Sequence, residues 1–478
     1  MSQSRRDFLR KTGCAALSMA ALATQVKHFG LMSALAQEKN SGDAVPSDYR
    51  ALVCIFLSGG NDGSNAVIPN HSDLNISNYA AYNAVRAPNG LAIPQASLLP
   101  ITVPRINNLT YGLHPNLVEL QGLYNSGKLA IVTNVGTLVQ PLTRTTYQNN
   151  TVPKPYQLFS HSDQVQQAQS SISSTRSNTG WGGRTADTSQ GLNSGAQVPM
   201  ITSVAGSQLF TSGAITKPLA VNPAPTALNQ LLTLTGYDAS APAAARRTAF
   251  DQLRTVDLTS NVVHAAHDVT QEAINASNAL NQPDPTLTAT FPNTSIGNQL
   301  KQVAKFLGIR NTLSINRQIF FCQLGGFDTH TGELNSHATL YTQLSQAMKA
   351  FYDETVAQGI SGGVTTFTLS DFGRTFLPSG VGAGTVGSDH GWANHMFVLG
   401  GSVLGGNFYG MNTSNGTPFP TLQLSGPDDT DNRGRFIPTT SVDQYAATLA
   451  TWYGLAAADL STVFPLLGNF GSNNLGFV

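Results

Sequence analysis

Charge is scarce in this 478-residue chain, where only 11% of residues are Asp, Glu, Lys or Arg and the two signs balance at 26 each. So weak and even a field excludes the dense positive surface that nucleic acid requires. Solubility rests instead on abundant Gly, Ser, Thr, Asn and Gln. Cysteine is almost missing, with three in all. Cys14 lies near the amino terminus, without the leucine-containing context of a lipoprotein site, while Cys54 and Cys322 sit inside apolar, strand-like runs. There a buried free thiol is expected rather than a disulfide. Long apolar runs are missing too. No segment stays apolar for the roughly 18 residues a membrane span needs, so no integral membrane association is expected.

What is present begins with an address. The segment Ser4-Arg5-Arg6-Asp7-Phe8-Leu9-Arg10 matches the twin-arginine consensus and is followed by a mildly apolar stretch from Gly13 to Val26. Ala34-Leu35-Ala36 offers the small residues of a cleavage site, with Ala21-Leu22-Ala23 as an alternative. The expectation is a signal peptide over 1–36, a linker over 37–48, and a product exported to the periplasm or beyond by the twin-arginine route. Cleavage would leave 21 basic and 25 acidic residues, a mildly acidic protein.

Short apolar or β-branched runs recur at Ala51–Leu57, Leu129–Val135, Gln318–Leu324, Val364–Leu369 and Met396–Leu399. Near-continuous runs of this length are the pattern of strands covered on both faces. Helical patterns separate them at Pro115–Ser126, Ala241–Leu280, Ile296–Leu307, His337–Gln358 and Val442–Tyr453. The alternation predicts one α/β domain over 49–478, built on a doubly wound, mostly parallel sheet. Between Arg184 and Thr294 the strand signal disappears, and 185–294 reads as a helical insertion or cap. His264 and His267, three apart on its helix, are compatible with a metal pair or with a solvated surface.

Ligands of an open parallel sheet bind beyond the carboxyl ends of its strands, where loops converge and helix amino termini point inward. This chain places its unusual residues there. Asp62 follows the first run in SGGNDGSN, Asp328 and His330 follow the third in GGFDTH, and Asp371 follows the fourth in SDFGR. Asp389 and His390 immediately precede the fifth in SDHGW. Four carboxylates and two imidazoles gathered in one pocket need a neutralising charge, and a divalent metal is the simplest. Zinc, manganese, magnesium and calcium all suit such donors. The alternative is that each aspartate caps a helix or closes a turn. Arg374 suits bidentate contact with a phosphate or sulfate, or an ion pair with one of the aspartates. Gly382–Gly387 fits a dinucleotide-binding pattern literally, yet follows no strand and opens no helix, so it reads as a loop.

These motifs, with FLSGGNDGSNAVIP at 56–69, GLHPNL at 112–117, SHSDQ at 160–164, GWGGR at 180–184 and SDHGWANHMFVLGG at 388–401, resemble the exported proteins catalogued as domain of unknown function 1501. That family is related to the alkaline phosphatase and sulfatase superfamily. The resemblance implies an alkaline phosphatase-like sheet holding one or two metal ions, with Asp62, Asp328, His330, Asp371, Asp389 and His390 as ligands. At the position after Asp371 the superfamily has a histidine and this chain has Phe372. The resemblance also implies a hydroxyl nucleophile at a helix amino terminus, matched by Ser160, with Thr143 and Thr145 as further candidates; Ser64 could instead bond within the first loop. Ser160 serves equally as a plain N-cap. The expected function is metal-dependent hydrolysis of phosphate or sulfate esters, the partner being a small anionic ester or a sulfated or phosphorylated glycan. A non-catalytic binding or scaffold protein on a degenerate version of the same fold is the alternative.

Overall fold

The computed structural model describes residues 48–216, 218–233, 240–382 and 384–478. The signal peptide expected over 1–36, Cys14 and the linker up to residue 47 lie outside the described residues. In chain order the strands are β1 (Arg50–Ser58), β2 (Val67–Pro69), β3 (Leu99–Val103), β4 (Leu109–Leu113), β5 (Leu129–Gly136) and β6 (Ile201–Ser203). They continue with β7 (Leu219–Ala220), β8 (Arg317–Gly325), β9 (Val364–Ser370), β10 (Asn394–Gly400), β11 (Phe408–Tyr409) and β12 (Thr440–Ser441). Nine of them form one sheet in the order β11-β5-β10-β9-β1-β8-β6-β7, with β12 also pairing β5. The other three make a small antiparallel sheet beside it.

The apolar runs become strands because both faces of the sheet are covered. In β1, Ala51, Val53, Ile55 and Leu57 enter one core while Leu52, Cys54 and Phe56 enter the other. Each large side chain so buried contributes roughly 1.5–3 kcal/mol. Helices Ser295–Gly308 and Glu333–Ala357 pack on the first face, and Val442–Tyr453 on the second. Cys54 and Cys322 are buried and free. Among the described residues no helix is long and apolar enough to cross a membrane.

The sheet is mostly parallel, with β8 and β9 flanking β1 in parallel register. Two features add detail to the expected mostly parallel sheet. β10 runs antiparallel to both β9 and β5. The link between β9 and β10 carries no helix among its described residues, and a strand without a helical crossover returns antiparallel. The insertion over 185–294 is also not strand-free: β6 and β7 fall inside it and extend the main sheet past β8. Three- and two-residue strands are too short to leave a periodic signal. The expected 241–280 helix is two helices, Ala241–Leu253 and Asn261–Leu280. The second covers a cavity of about 560 Å³ shared with Pro199 and Met200, just before the amino end of β6. That cavity lies at the sheet edge opposite the acidic loops, whereas the residues after β6 leave its carboxyl end and reach the helix His161–Ser170, where Gln169 donates to Gln208 and accepts from the Phe210 amide.

Asp443, in the first turn of Val442–Tyr453, is fully buried, and burial pushes its carboxyl up to about 7 against the opposing effects of Ser171 and Arg184. Between about pH 4 and 7 the folded state therefore holds a proton that the unfolded state has lost. Stability falls as pH rises through that window and stays lower above it. Asp443→Asn is expected to remove most of this loss, about 2–4 kcal/mol, so that urea denaturation of the variant gives similar stability at pH 5 and pH 9. An equal decline in the variant would show that another group causes it.

Candidate metal centre

Because β1, β5, β8 and β9 run the same way, their carboxyl ends share one edge, and the reversed β10 brings its amino end to that edge too. Asp389 and His390 reach the loops after β8 and β9 for this reason. The β5 connection arrives there as well and opens the helix His161–Ser170. Two glycines let the loops close up. Gly59 and Gly60 hold φ of +115° and +87°, and a Cβ on Gly60 would sit 2.6 Å from the Phe372 ring. Such backbone angles and contacts leave room only for glycine.

Four side chains converge at this edge. Nε2 of His161 lies 3.1 Å from Nε2 of His390 and 3.4 Å from Oδ1 of Asp328, and His390 Nε2 is 3.5 Å from the same oxygen. On the other side of the His390–Asp328 edge, His330 Nε2 is 3.0 Å from His390 Nε2 and 3.1 Å from Asp328 Oδ1. Asp328 and His330 are about half exposed, so the cluster opens to solvent on that side. Phe372 closes the other side, with ring centroids 4.6 Å from His161 and 4.9 Å from His390.

The far nitrogen of each imidazole is tied down. His161 Nδ1 is 2.8 Å from Asp371 Oδ2, His330 Nδ1 is 3.1 Å from Asp389 Oδ1, and His390 Nδ1 is 2.7 Å from the Phe159 carbonyl. Carboxylates and carbonyls only accept, so each Nδ1 is the donor of its bond and each ring turns its Nε2 inward. The Nε2 atoms of the His161–His390 and His330–His390 pairs, 3.1 and 3.0 Å apart, repel unless a proton or a cation sits between them. Carboxylate- or carbonyl-anchored histidines of this kind are the arrangement that orients metal ligands. Donors each about 2.0–2.1 Å from one ion at tetrahedral angles stand about 3.3 Å apart. The His161, His390 and Asp328 separations bracket that value, and these three residues could hold a metal ion together.

The charges agree with this assignment. Burial raises the Asp328 carboxyl, but Arg374 and the neighbouring histidines more than offset it and hold the group below its usual range. Asp389 is likewise held low, Arg433 and His330 outweighing burial. The Asp371 hydrogen bond raises His161 despite desolvation, whereas burial lowers His390.

Of the six residues expected to bind metal, five gather here, in two roles. Asp328, His330 and His390 face inward. Asp371 and Asp389 stand behind, since Asp371 also accepts from the Gly59 amide at 3.0 Å and Asp389 from Arg433. Asp62 does not join them. It is fully buried one layer below, with both oxygens taken by the buried Arg86 guanidinium. Arg86 overcomes the cost of burial and keeps Asp62 ionised. Glu333 lies beside this pair, and burial together with the Asp62 charge pushes it well above the usual carboxylate range. Burial also pushes the adjacent His337 down to about 4. Asp62, Glu333 and His337 could by spacing hold an ion, but the guanidinium already fills the cation's position on Asp62.

Ser160 stands at the N-cap position of His161–Ser170, yet its hydroxyl donates to Asp163 at 2.7 Å instead of capping the backbone. Thr143 caps the short helix Arg144–Gln148. Arg374 is wholly buried and donates to Asp328 at 2.8 Å, to the Gly59 carbonyl at 3.2 Å and to Ser388. The ion-pair role expected as its alternative is the one this geometry shows. His264 pairs with Asp268, and His267 turns toward Arg254, so these two histidines have separate partners. Sequence reasoning missed His161. Its signal was the SHSDQ segment at a helix start, where the hydroxyl drew attention and the neighbouring imidazole did not.

A family model described as "Protein of unknown function (DUF1501)" matches residues 49–419. No curated protein matches the chain. Among solved structures, the zinc complex of the C-terminal periplasmic domain of EcEptC from Escherichia coli is 11% identical, covering 77% of this chain and 78% of that one, with a TM-score of 0.32. Ps i-CgsB in complex with k-i-k-neocarrahexaose is 8% identical, covering 90% and 77%, with a TM-score of 0.33. The PsFucS1 sulfatase from Pseudoalteromonas sp. is 10% identical, covering 90% and 77%, with a TM-score of 0.28.

Proposed function

The chain belongs to the DUF1501 family of proteins of unknown function, and we propose that it is an exported, metal-dependent hydrolase of phosphate or sulfate esters that works with one ion. The observation that carries this reading is the convergence of three imidazoles, each anchored through Nδ1, on Asp328. His161, His390 and Asp328 would hold the ion, and His330 stands ready as a further donor at the open side. A nitrogen-rich set at this spacing favours zinc over calcium, which takes six to eight oxygens. Arg86 on Asp62 and Phe372 against the histidines favour one ion over two.

Held by His161, His390 and Asp328, such an ion would supply Lewis acidity toward an ester oxygen and toward water. The chain's own residues supply the rest. Asp371 and Asp389 fix two rings, the Phe159 carbonyl fixes the third, and buried Arg374 keeps Asp328 ionised and aimed. Phe372 excludes water from beneath His161 and His390. Ser160 adjoins His161 in sequence, with Asp163 as acceptor for its proton. The Arg5-Arg6 leader and the lack of a spanning helix among the described residues fit export.

Hydrolysis of 4-nitrophenyl phosphate and 4-nitrophenyl sulfate by the purified mature chain tests the reading. Activity toward at least one ester should vanish on chelation and return with zinc. Full activity after complete metal removal would contradict it. A metal-loaded chain inert toward a broad ester panel would favour the binding-protein alternative, which the Ser160–Asp163 bond and the occupied Asp62 support.

A further inference from the structure

Beneath the metal centre, buried polar groups link the two ligand-bearing loops. Glu333 opens the helix Glu333–Ala357 just after His330, and both it and Ser388 are fully buried. Its backbone amide donates to the Val386 carbonyl at 3.1 Å, and its Oε2 accepts from the Ser388 hydroxyl. The Ser388 amide in turn donates to the Thr329 carbonyl at 3.2 Å. The same Ser388 hydroxyl accepts from Arg374 Nε at 3.3 Å, and the Ser388 carbonyl accepts from Arg374 Nη2. Arg374 then reaches Asp328.

A serine hydroxyl has one hydrogen. With that hydrogen committed to Glu333, its lone pairs must face Arg374, so the carboxyl sets the direction of the hydroxyl and the hydroxyl sets the guanidinium. Arg374 is wholly buried and has no solvent orientation to fall back on. Glu333 touches none of the three donors that converge on the ion, and it has no cation of its own, because Arg86 serves Asp62. What remains to it is hydrogen bonding: it accepts from Ser388 through one oxygen, while Oε1 has no acceptor-type bond and lies in the cluster with Asp62.

Building on the proposed metal centre, we infer that Glu333 is a positioning residue that fixes the loops carrying Asp328, His330 and His390 through Ser388 and Arg374, acting through the hydrogen bond it accepts from Ser388 and not through an ion pair. Outer partners of this kind typically change metal affinity about 10–100-fold when removed.

The test is zinc affinity of the mature chain, measured by competition with a chromophoric chelator, with thermal melting of each metal-free variant as a control. Glu333→Gln keeps an oxygen for Ser388 and an N–H for Asp62, so it should bind zinc like the wild type. Ser388→Ala and Glu333→Ala should each weaken binding about 10–100-fold. Ser388→Ala removes one oxygen atom and keeps the comparison available should Glu333→Ala fail to fold. Wild-type affinity in Ser388→Ala, or a loss in Glu333→Gln as large as in Glu333→Ala, overturns the inference while leaving the metal centre standing. A wild-type chain that binds no zinc overturns both.

Discussion

His161→Ala is expected to abolish specific zinc binding by the mature chain, with affinity falling by more than the ~10–100-fold that loss of an orienting partner causes. The residue supplies one of three donors within 3.1–3.5 Å of one another, and no other described imidazole stands ready on that side. Asp371→Asn, which disturbs only the anchor of the same ring, should fall within the smaller range. Asp62→Asn should leave zinc binding intact, because Asp62 is engaged by Arg86 below the site. Isothermal titration of the three variants separates the roles. Loss of zinc in Asp62→Asn with retention in His161→Ala would reverse the assignment of ligands.

Arg86→Met should have the largest effect on stability, about 3–5 kcal/mol, with little direct effect at the cluster. The change strands a buried carboxylate at Asp62 beside the buried Glu333, and no second described cation reaches Asp62. A buried pair need not stabilise relative to an apolar pair of equal volume, but removing one partner leaves an uncompensated charge. Pairing Arg86→Met with Asp62→Leu should therefore recover part of the loss. Urea denaturation at pH 7 reads both. A loss below 1 kcal/mol in Arg86→Met would show that Asp62 takes up a proton and relaxes instead.

The main sheet was legible because its central strands are buried on both faces, which turns each into an unbroken apolar run. β1, β5, β8 and β9 appear within a residue or so of their expected bounds. The strands of the main sheet that escaped, β6, β7, β11 and β12, are two or three residues long and owe their pairing to neighbours, not to composition. The reversal of β10 was not legible in its own sequence. It follows from the lack of a crossover helix among the described residues before it.

At the site, the glycine-flanked aspartates and histidines at strand ends pointed to one edge of the sheet, and five of the six named residues meet there. Their division into ligands and anchors depends on which atom faces inward, and residue type alone does not encode that. Asp62 read like the others because its loop has the same composition. What sets it apart is Arg86, which sits 24 positions later in an ordinary helix. His161 was hidden by its neighbours. In Ser160-His161-Ser162-Asp163 the flanking hydroxyls suggest a cap or a nucleophile, and only the fold shows the ring meeting His390 and Asp371.

Diffraction at the zinc absorption edge from crystals of the mature chain grown with zinc is the most direct test of the central claim. The account predicts one anomalous peak per chain, about 2.0–2.2 Å from Nε2 of His161, Nε2 of His390 and a carboxylate oxygen of Asp328. A peak bound to Asp62, or the absence of any peak among these three residues in zinc-saturated crystals, would contradict it.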